Sequence, residues 1–508
     1  MLEPFPSIVT FLLALSSLLS RLIGIYRNHA LAAMFGASAI SDAYFAAFQV
    51  PDTLYRLFVY GAISASFVPL FLSLRKKNPD SAWIFVTSVM NGFLLVILAI
   101  SLIIFIFAPQ LIEFLYPKFS SNLQGTTTSL LRIMMVSPIF FTLSSVFAGI
   151  ENAFRNFWGF ALAPILYNLA IIFGILVLAP RMGMMGVAYG VVIGAFCHAF
   201  IQLIPCWKLG FRWRPVMVWS HELKQLFLTS VPRILSMAGS QVNFFIEGII
   251  ATLLAVGNLT VLRYAQDLQS FPIGIIGVSM ALSSFSIVSH FVIDEKIPEL
   301  AGYLRHKLHH LFFLIIPAAA GLYILRIPII RLILAGGGFD EAAVAMTAQT
   351  LSYLCIGIVA SAIIPLVSRV FFAFHDTFWP FVVTMATVIV NTILAIILVH
   401  TFGVAGIGLA SSISSTASLV VLMILLQWKY FKKNLFFPFG RFFGFVLASG
   451  VMAVLVERIM TLVSFSSQWI MLLGEVILIT SFGIGIYLAI TFIIFRRHFF
   501  TLIKTLGD

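Results

Sequence analysis

The chain has 508 residues, of which 61% are hydrophobic and 9% charged, with 52 phenylalanines; such a composition excludes an ordinary water-soluble domain. The net charge of +12 would suit nucleic acid, but the basic residues fall in alternate loops between apolar runs, which excludes that partner. Cys197, Cys206 and Cys355 are scattered without C-x-x-C spacing, so neither a zinc site nor a disulfide framework is indicated and they read as packing residues.

Apolar runs of roughly 20 residues, long enough for a hydrocarbon core of about 30 Å, recur from end to end. Cutting the chain at polar, Pro/Gly and Lys/Arg clusters predicts fourteen spans, at 7–33, 40–73, 82–110, 126–154, 158–180, 184–207, 222–255, 259–292, 299–325, 341–374, 378–401, 404–430, 440–463 and 468–497. The first lacks a basic leader and an A-x-A-like end, so it reads as a retained helix rather than a signal peptide. An even number of spans puts both termini on one side. Nineteen Lys and Arg lie in the loops, adjoining span ends and tail of that side, against six (Arg27, Lys118, Arg181, Arg326, Arg331, Arg458) on the other. The positive-inside rule then places both termini in the cytoplasm of a multi-pass inner-membrane protein.

Polar residues inside the spans cost on the order of 2.5–3.5 kcal/mol each when charged, so their positions carry functional information. Helix 1 carries Arg21 and Arg27, and helix 2 carries Asp42, Asp52 and Arg56. Asp42 and Arg56 lie within about 40° of each other on a helical wheel, while Asp52 and Arg56 are spaced for a local i,i+4 ion pair. Helix 7 bears Arg233 and a stripe of Ser236, Ser240, Asn243 and Glu247. Helix 8 bears a second stripe, Arg263, Gln266, Asp267 and Ser270. Such stripes line a water-filled cavity or make interhelical hydrogen bonds. Arginine suits an anionic cargo, since guanidinium pairs bidentately with phosphate and stays charged.

Further along, His306, His309 and His310 stand beside Arg305 and Lys307, an arrangement suited to anionic lipid headgroups rather than a metal. His375-Asp376 is a turn and helix-cap pair. Glu475 is the one charge in the last span before the Arg496-Arg497 pair at its end. No P-loop is present, so ATP is not the evident energy source.

The chain repeats itself. "GASAISDAYFAAFQVP" (36–51) aligns with "GNLTVLRYAQDLQSFP" (257–272) at an offset of 221, "AFRNFWGF" (153–160) with "AFHDTFWPF" (373–381), and "GMMGVAYG" (183–190) with "GVAGIGLA" (403–410). Two six-helix lobes, 1–210 and 220–432, follow, with two extra helices and a tail at 438–508. Each copy contains an even number of spans, so the repeats are parallel and related by an axis along the membrane normal. The expected architecture is an all-α polytopic membrane protein, two pseudo-symmetric lobes around a central cavity.

"SRLIGIYRNHALAAMFGASAISDAYFAAFQVPDTLYRLFVYGAISASFVPLF" (20–71) resembles the opening signature of the MurJ/MviN family of lipid II flippases, within the multidrug/oligosaccharidyl-lipid/polysaccharide exporter superfamily. Weaker matches such as "QVNFFIEGIIATLLA" (241–255) and "FPIGIIGVSMA" (271–281) extend the resemblance along nearly the whole chain. It implies a cationic cavity, a groove on the last two helices for a polyprenyl tail, and an undecaprenyl-diphosphate-linked glycopeptide as cargo. A membrane potential or cation gradient (Na+ or H+) would drive the cycle, with no bound cofactor. Arg21, Arg27 and Asp42 match family positions, with Arg56 the kept member of an arginine pair. Asn28 stands where an aspartate is usual, and Asp267 where the family has an arginine, leaving Arg263, one turn earlier, or Arg233 to serve the same space. Glu247 and Asn391 fall where some members bind sodium, but Ala395 replaces a further acidic residue.

The expected function is a flippase, acting as a monomer, with Arg21, Arg27, Arg56 and Arg263 as diphosphate contacts and Asp42 as an orienting or gating partner. A flippase for another polyprenyl-linked glycan and a cation-coupled exporter are the near alternatives. A membrane enzyme would need positioned acid/base groups or a metal clamp, for which His375-Asp376 is the one tempting pair. A scaffold does not account for so many intramembrane charges.

Overall fold

The computed structural model describes residues 8–60, 67–432, 437–462, 465 and 468–496. Among these the backbone is helical almost throughout, and the one β-type pairing is an isolated bridge between Gly336 and Phe339. Lipid offers no hydrogen bonds, so a chain this apolar satisfies its N–H and C=O groups within helices. The helices are α1 (Ile8–Phe35), α2 (Ala39–Leu54), α3 (Phe67–Lys77), α4 (Pro79–Ile106), α5 (Ala108–Leu115), α6 (Ser121–Met134), α7 (Ser137–Ala153), α8 (Trp158–Phe173), α9 (Ala179–Met182), α10 (Met184–Lys208) and α11 (His221–Thr252). They continue as α12 (Asn258–Pro272), α13 (Ser279–Ile293), α14 (Ile297–Ile324), α15 (Arg326–Leu334), α16 (Glu341–Ile356), α17 (Ile358–Ala373), α18 (Phe378–Phe402), α19 (Val404–Leu426), α20 (Phe439–Leu462) and α21 (Trp469–Ile494).

Helix occupies each of the fourteen predicted spans, but among the described residues ten are long and apolar enough to cross a membrane. The count is eleven if α16 and α17, bent by 45°, form one span. Outside that count stand 8–35, 39–77 and 221–252, the segments bearing Arg21, Arg27, Asp42, Asp52, Arg56, Arg233 and Glu247.

Proline shapes two of the spans. Pro51 precedes a π-helical stretch at Tyr55–Tyr60, and Pro272 precedes another at Ile273–Val278. A proline lacks the N–H that closes the i→i−4 bond, and a wider turn absorbs the mismatch. Pro51 and Pro272 are the paired prolines of the internal repeat, so the repeat carries a backbone feature as well as a pattern of letters. Positive φ recurs likewise at Gly183 and Gly403 (both 58°) and at Arg155 and His375 (55° and 58°), again 220 residues apart.

The chain forms two compact units, unit 1 (Met1–Thr260 with Gly336–Asp340) and unit 2 (Val261–Ala335 with Glu341–Asp508). Unit 1 is centred on Phe67, Phe71, Phe85, Phe93, Phe147 and Ile150, with the Phe67 and Phe71 rings stacked at 6.1 Å. Asn78 caps α4, accepting from the Asp80 N–H (2.9 Å), with Pro79 at the first helical position. The opposite face of α4 exposes Leu95, Leu98, Leu102 and Ile106, an apolar stripe at helical spacing that suits lipid. In unit 2, α14 packs on α20 and α21 through Phe313, Phe445 and Tyr487, whose hydroxyl donates to the Phe313 carbonyl (2.8 Å).

Candidate functional site

Unit 1 has its most elaborate polar contact at the turn between α1 and α2. Asp42 sits in the first turn of α2 and is 3% exposed. Its Oδ2 accepts from the Gly257 N–H (2.6 Å), and its Oδ1 from the Thr260 N–H (2.8 Å) and hydroxyl (2.7 Å). These N–H groups stand at the start of α12, where helix geometry leaves donors unpaired. Asp42 therefore caps a helix that begins more than two hundred residues later. Charge-assisted bonds of this type are the stronger ones in proteins.

Glycines let the chains approach. Gly36 (φ 61°) and Gly257 (φ 90°) are repeat partners, and a Cβ on Gly257 would lie 2.4 Å from the Ala37 carbonyl oxygen. The turn Gly336–Asp340 adds a third strand of contact, with the Gly338 N–H donating to the Ala33 carbonyl (2.7 Å). Three segments distant in sequence are thus locked around the α1–α2 turn. Sequence reasoning found Asp42 and the Gly36/Gly257 pair, but not Thr260 or the 336–338 glycines; the run Gly336-Gly337-Gly338 was the available signal.

Arg27 is held in a fixed orientation. Its Nε (3.2 Å) and Nη2 (2.9 Å) both donate to Asn28 Oδ1, and Nη1 donates to Asn168 Oδ1 (3.0 Å). Asn168 Nδ2 in turn donates to the Ser20 hydroxyl (3.2 Å) and the Pro164 carbonyl (3.0 Å), joining α1 to α8. Asn28 thus performs the orienting role expected of an aspartate, without cancelling the guanidinium charge. Asn168, a lone amide in an apolar helix, was missed from the sequence. Arg21 lies on the same helix, partly buried.

Other predicted residues are placed differently from one another. Asp42 and Arg56 share a wheel position but are separated by about 21 Å of helix rise, and Arg56 instead donates to Asp52 (2.8 Å), forming the i,i+4 pair. Arg233 lies in α11, and its side chain falls outside the described residues. In α12, Arg263 is buried and donates to Gln266 Oε1 (2.8 Å), while Asp267 and Ser270 are exposed. Glu247 is buried in unit 1 and accepts from Asn243 Nδ2 (2.9 Å); Asn391 is buried in α18 of unit 2, one turn from buried Ala395. No group of three or more His, Cys, Asp or Glu that could hold a metal occurs among the described residues.

The histidine reading needs correction. His309 and His310 are buried rather than turned toward headgroups, and His309 Nδ1 lies 2.7 Å from Arg441 Nη1 in the packing of α14 on α20. His306, one turn earlier on the same helical face, is exposed.

His375-Asp376 is a structural turn. Asp376 Oδ1 accepts from the Trp379 N–H (3.3 Å) at the start of α18, and Oδ2 accepts from Lys429 Nζ (2.6 Å) and the Tyr430 hydroxyl (2.8 Å). Burial opposes its charge, but the bonds from Lys429, Tyr430 and Trp379 outweigh burial and hold its carboxyl below the usual carboxylate range. A depressed folded-state value means that this stabilisation is complete above the unfolded carboxylate range and disappears as pH falls through the lower, folded one. Asp376→Asn is therefore expected to lower thermal stability at neutral pH and to flatten the acid limb of its pH profile. Equal acid sensitivity in the two proteins would contradict the assignment.

A multi-pass helical chain with repeated, proline-broken spans is a polytopic membrane protein by architecture. Its fold is that of an inward-facing multidrug resistance MATE transporter of the MOP superfamily, at a TM-score of 0.68 and 15% identity, covering 81% of this chain and 94% of that one. The chain matches the family model described as "Lipid II flippase MurJ" over residues 31–482, and it belongs to that family. It is 29% identical to a probable lipid II flippase MurJ of Thermotoga maritima (88% of this chain, 89% of the relative) and 26% to the lipid II flippase MurJ of Burkholderia cenocepacia (81% and 82%). A solved lipid II flippase MurJ in an inward closed conformation superposes at a TM-score of 0.81 with 27% identity, covering 96% of this chain and 99% of that one.

Proposed function

We propose that this chain is a flippase that carries the undecaprenyl-diphosphate-linked peptidoglycan precursor, lipid II, from the inner to the outer leaflet of the bacterial cytoplasmic membrane. The observation that carries this reading is likeness over essentially the full length, in sequence and in fold, to lipid II flippases. The alternating excess of Lys and Arg supports cytoplasmic termini, and the internal repeat supports two six-helix lobes, 1–210 and 220–432, with 438–508 appended.

A flippase must admit a charged headgroup from one side at a time. The Asp42 clamp supplies a seal that opens only if three hydrogen bonds break together. Arg27, with Asn28 and Asn168 fixing its plane, presents a cation for a diphosphate, and Arg21 stands near two turns earlier on the same helix. Arg56, Arg233 and Arg263 are further candidates for cargo contact, with Gln266, Asp267 and Ser270 beside them. Glu247 and Asn391 are the candidate residues for a coupling cation.

Arg21→Ala and Arg27→Ala are each expected to lose complementation of a flippase-depleted strain while reaching the membrane at normal levels. Loss of a charged hydrogen-bonding group of about 1.5–3 kcal/mol corresponds to roughly a 10- to 150-fold weaker hold on the cargo, measurable by native mass spectrometry with lipid II. Full complementation by both variants would sink the proposal. Accumulation of lipid II on depletion separates this cargo from another polyprenyl-linked glycan.

A further inference from the structure

Besides Asp42 and Glu247, unit 1 contains a further buried carboxyl, which the transport reading leaves without a role. Glu151 lies in the last turn of α7 with 0% exposure, and its Oε1 accepts from the Gly159 N–H (3.1 Å) at the start of α8. The residue before α8, Phe157, offers no side-chain cap, so Glu151 supplies one from the preceding helix. Its other oxygen, Oε2, has no hydrogen-bond partner among the described residues. The same is true of both Oε1 and Nε2 of Gln202 on α10, which is 1% exposed.

Both residues border Gly159. A Cβ built on Gly159 would lie 2.5 Å from Glu151 Oε1, 3.1 Å from Gln202 Cα and 3.0 Å from Pro205 Cγ. Glu151 Oε1 and the Gln202 backbone therefore both approach residue 159 more closely than a methyl group would allow, an approach that exists because residue 159 is glycine.

The internal repeat provides the control. Offsets of 220 and 221 set Phe371 against Glu151 and Pro380 against Gly159. Phe371 is fully buried, and the matching helix α18 is capped from its own turn by Asp376. The architecture therefore needs neither a carboxyl nor a glycine here. An ionised carboxylate buried without a counter-charge is so costly that such a group takes up a proton instead.

The neighbouring groups supply no counter-charge. On α10, Cys206 donates through Sγ to the Phe147 carbonyl (3.5 Å). On α3, Arg75 stacks over the Phe154 ring at 4.0 Å. At the start of α4, exposed Asp80 pairs with Arg214 (3.6 Å). Arg155 follows in the α7–α8 turn, and no ion pair reaches Glu151 among the described residues.

We propose that Glu151 and Gln202 form a proton-binding site. With α7, α8 and α10 packed as here, the carboxyl is neutral, its Oε1 accepting from Gly159 and its Oε2 carrying a proton that the buried Gln202 amide oxygen accepts once that side chain turns toward it. Opening of the junction admits water, the Oε2–H bond breaks heterolytically, and one proton passes to water, leaving a solvated carboxylate. The packing of this helix junction is thereby linked to pH, whatever the cargo.

The test is infrared difference spectroscopy of the purified full-length protein in lipid nanodiscs, titrated with acid and base without cargo, so that it is independent of the flippase assignment. A carboxylic C=O band that persists at neutral pH is expected in the wild type, absent in Glu151→Gln and shifted in frequency in Gln202→Leu, which retains the carboxyl. Gln202→Leu keeps the test open should Glu151→Gln fail to fold. A neutral-pH spectrum unchanged by either variant would overturn the proposal. So would loss of the band on adding sodium at constant pH, which would assign the site to a metal cation.

Discussion

Replacing Asp42 by asparagine is expected to raise hydrogen–deuterium exchange in the segment containing Gly257 and Thr260 by about 5- to 150-fold. The carboxylate accepts three hydrogen bonds there, two of them from backbone N–H groups. An asparagine keeps the shape but has one acceptor oxygen, so its NH2 faces a donor. Leaving one buried donor unsatisfied costs about 1–3 kcal/mol, which is the quoted range of exchange. Asp42→Ala should exceed Asp42→Asn, and Thr260→Val, which removes one hydroxyl, should fall below both. Thr260→Ser preserves the hydroxyl and should resemble the wild type. If the clamp is the gate, complementation in a depleted strain follows the same order. Exchange at Gly257 and Thr260 that ignores the residue at position 42 would remove the gate from the mechanism.

The second large effect concerns glycines. Gly36→Ala would place a methyl 2.0 Å from the Gly338 carbonyl oxygen, and Gly337→Ala would place one 2.1 Å from the Ala33 carbonyl oxygen. Both obstacles are backbone, which cannot swing aside as a side chain can. Both glycines also have positive φ, 61° and 54°, where a Cβ costs about 1–2 kcal/mol. With overpacking of about 1–3 kcal/mol, each substitution should destabilise by roughly 2–5 kcal/mol and abolish growth support. Gly125→Ala is the matched control, since it lies within α6 with nothing inside 4 Å; there alanine should be neutral or stabilising by up to about 1 kcal/mol. Recovery of monodisperse protein after a heating series measures all three. Gly36→Ala behaving like Gly125→Ala would show that the close approach of the two turns is not maintained in the membrane.

The clamp and the proton site differ in how they were built. Asp42 spends its charge on the N-terminal donors of another helix, so its negative form is the working form. Glu151 has one such donor and an empty second oxygen, so its neutral form fits the structure. The two carboxyls are equally withdrawn from water, and the number of donors that meet each distinguishes them.

Much of the fold was legible in the residue order. Apolar run lengths located helix in all fourteen predicted segments, because lipid forces any such run to satisfy its backbone internally. The repeat was legible too: it paired Pro51 with Pro272 and Gly36 with Gly257, and the structure adds that both prolines precede π-helical stretches and both glycines have positive φ. Glycine and proline act through local backbone geometry, which does not depend on what packs nearby.

Tertiary structure decided the partners. Wheel arithmetic placed Asp42 and Arg56 on one face, but rise along the helix separated them, and Asp42 found its donors after α11 instead. Basic neighbours in sequence suggested headgroups for His309 and His310, whereas packing against α20 turned both inward. The family signature singled out Arg27, and only the fold showed that Asn28 and Asn168 share the task of holding it. The sequence by itself determined that this is a repeated, all-helical membrane protein, because period, run length and Gly/Pro positions are local quantities. Which polar group meets which depends on chain segments hundreds of residues apart, and so was settled only when the helices packed.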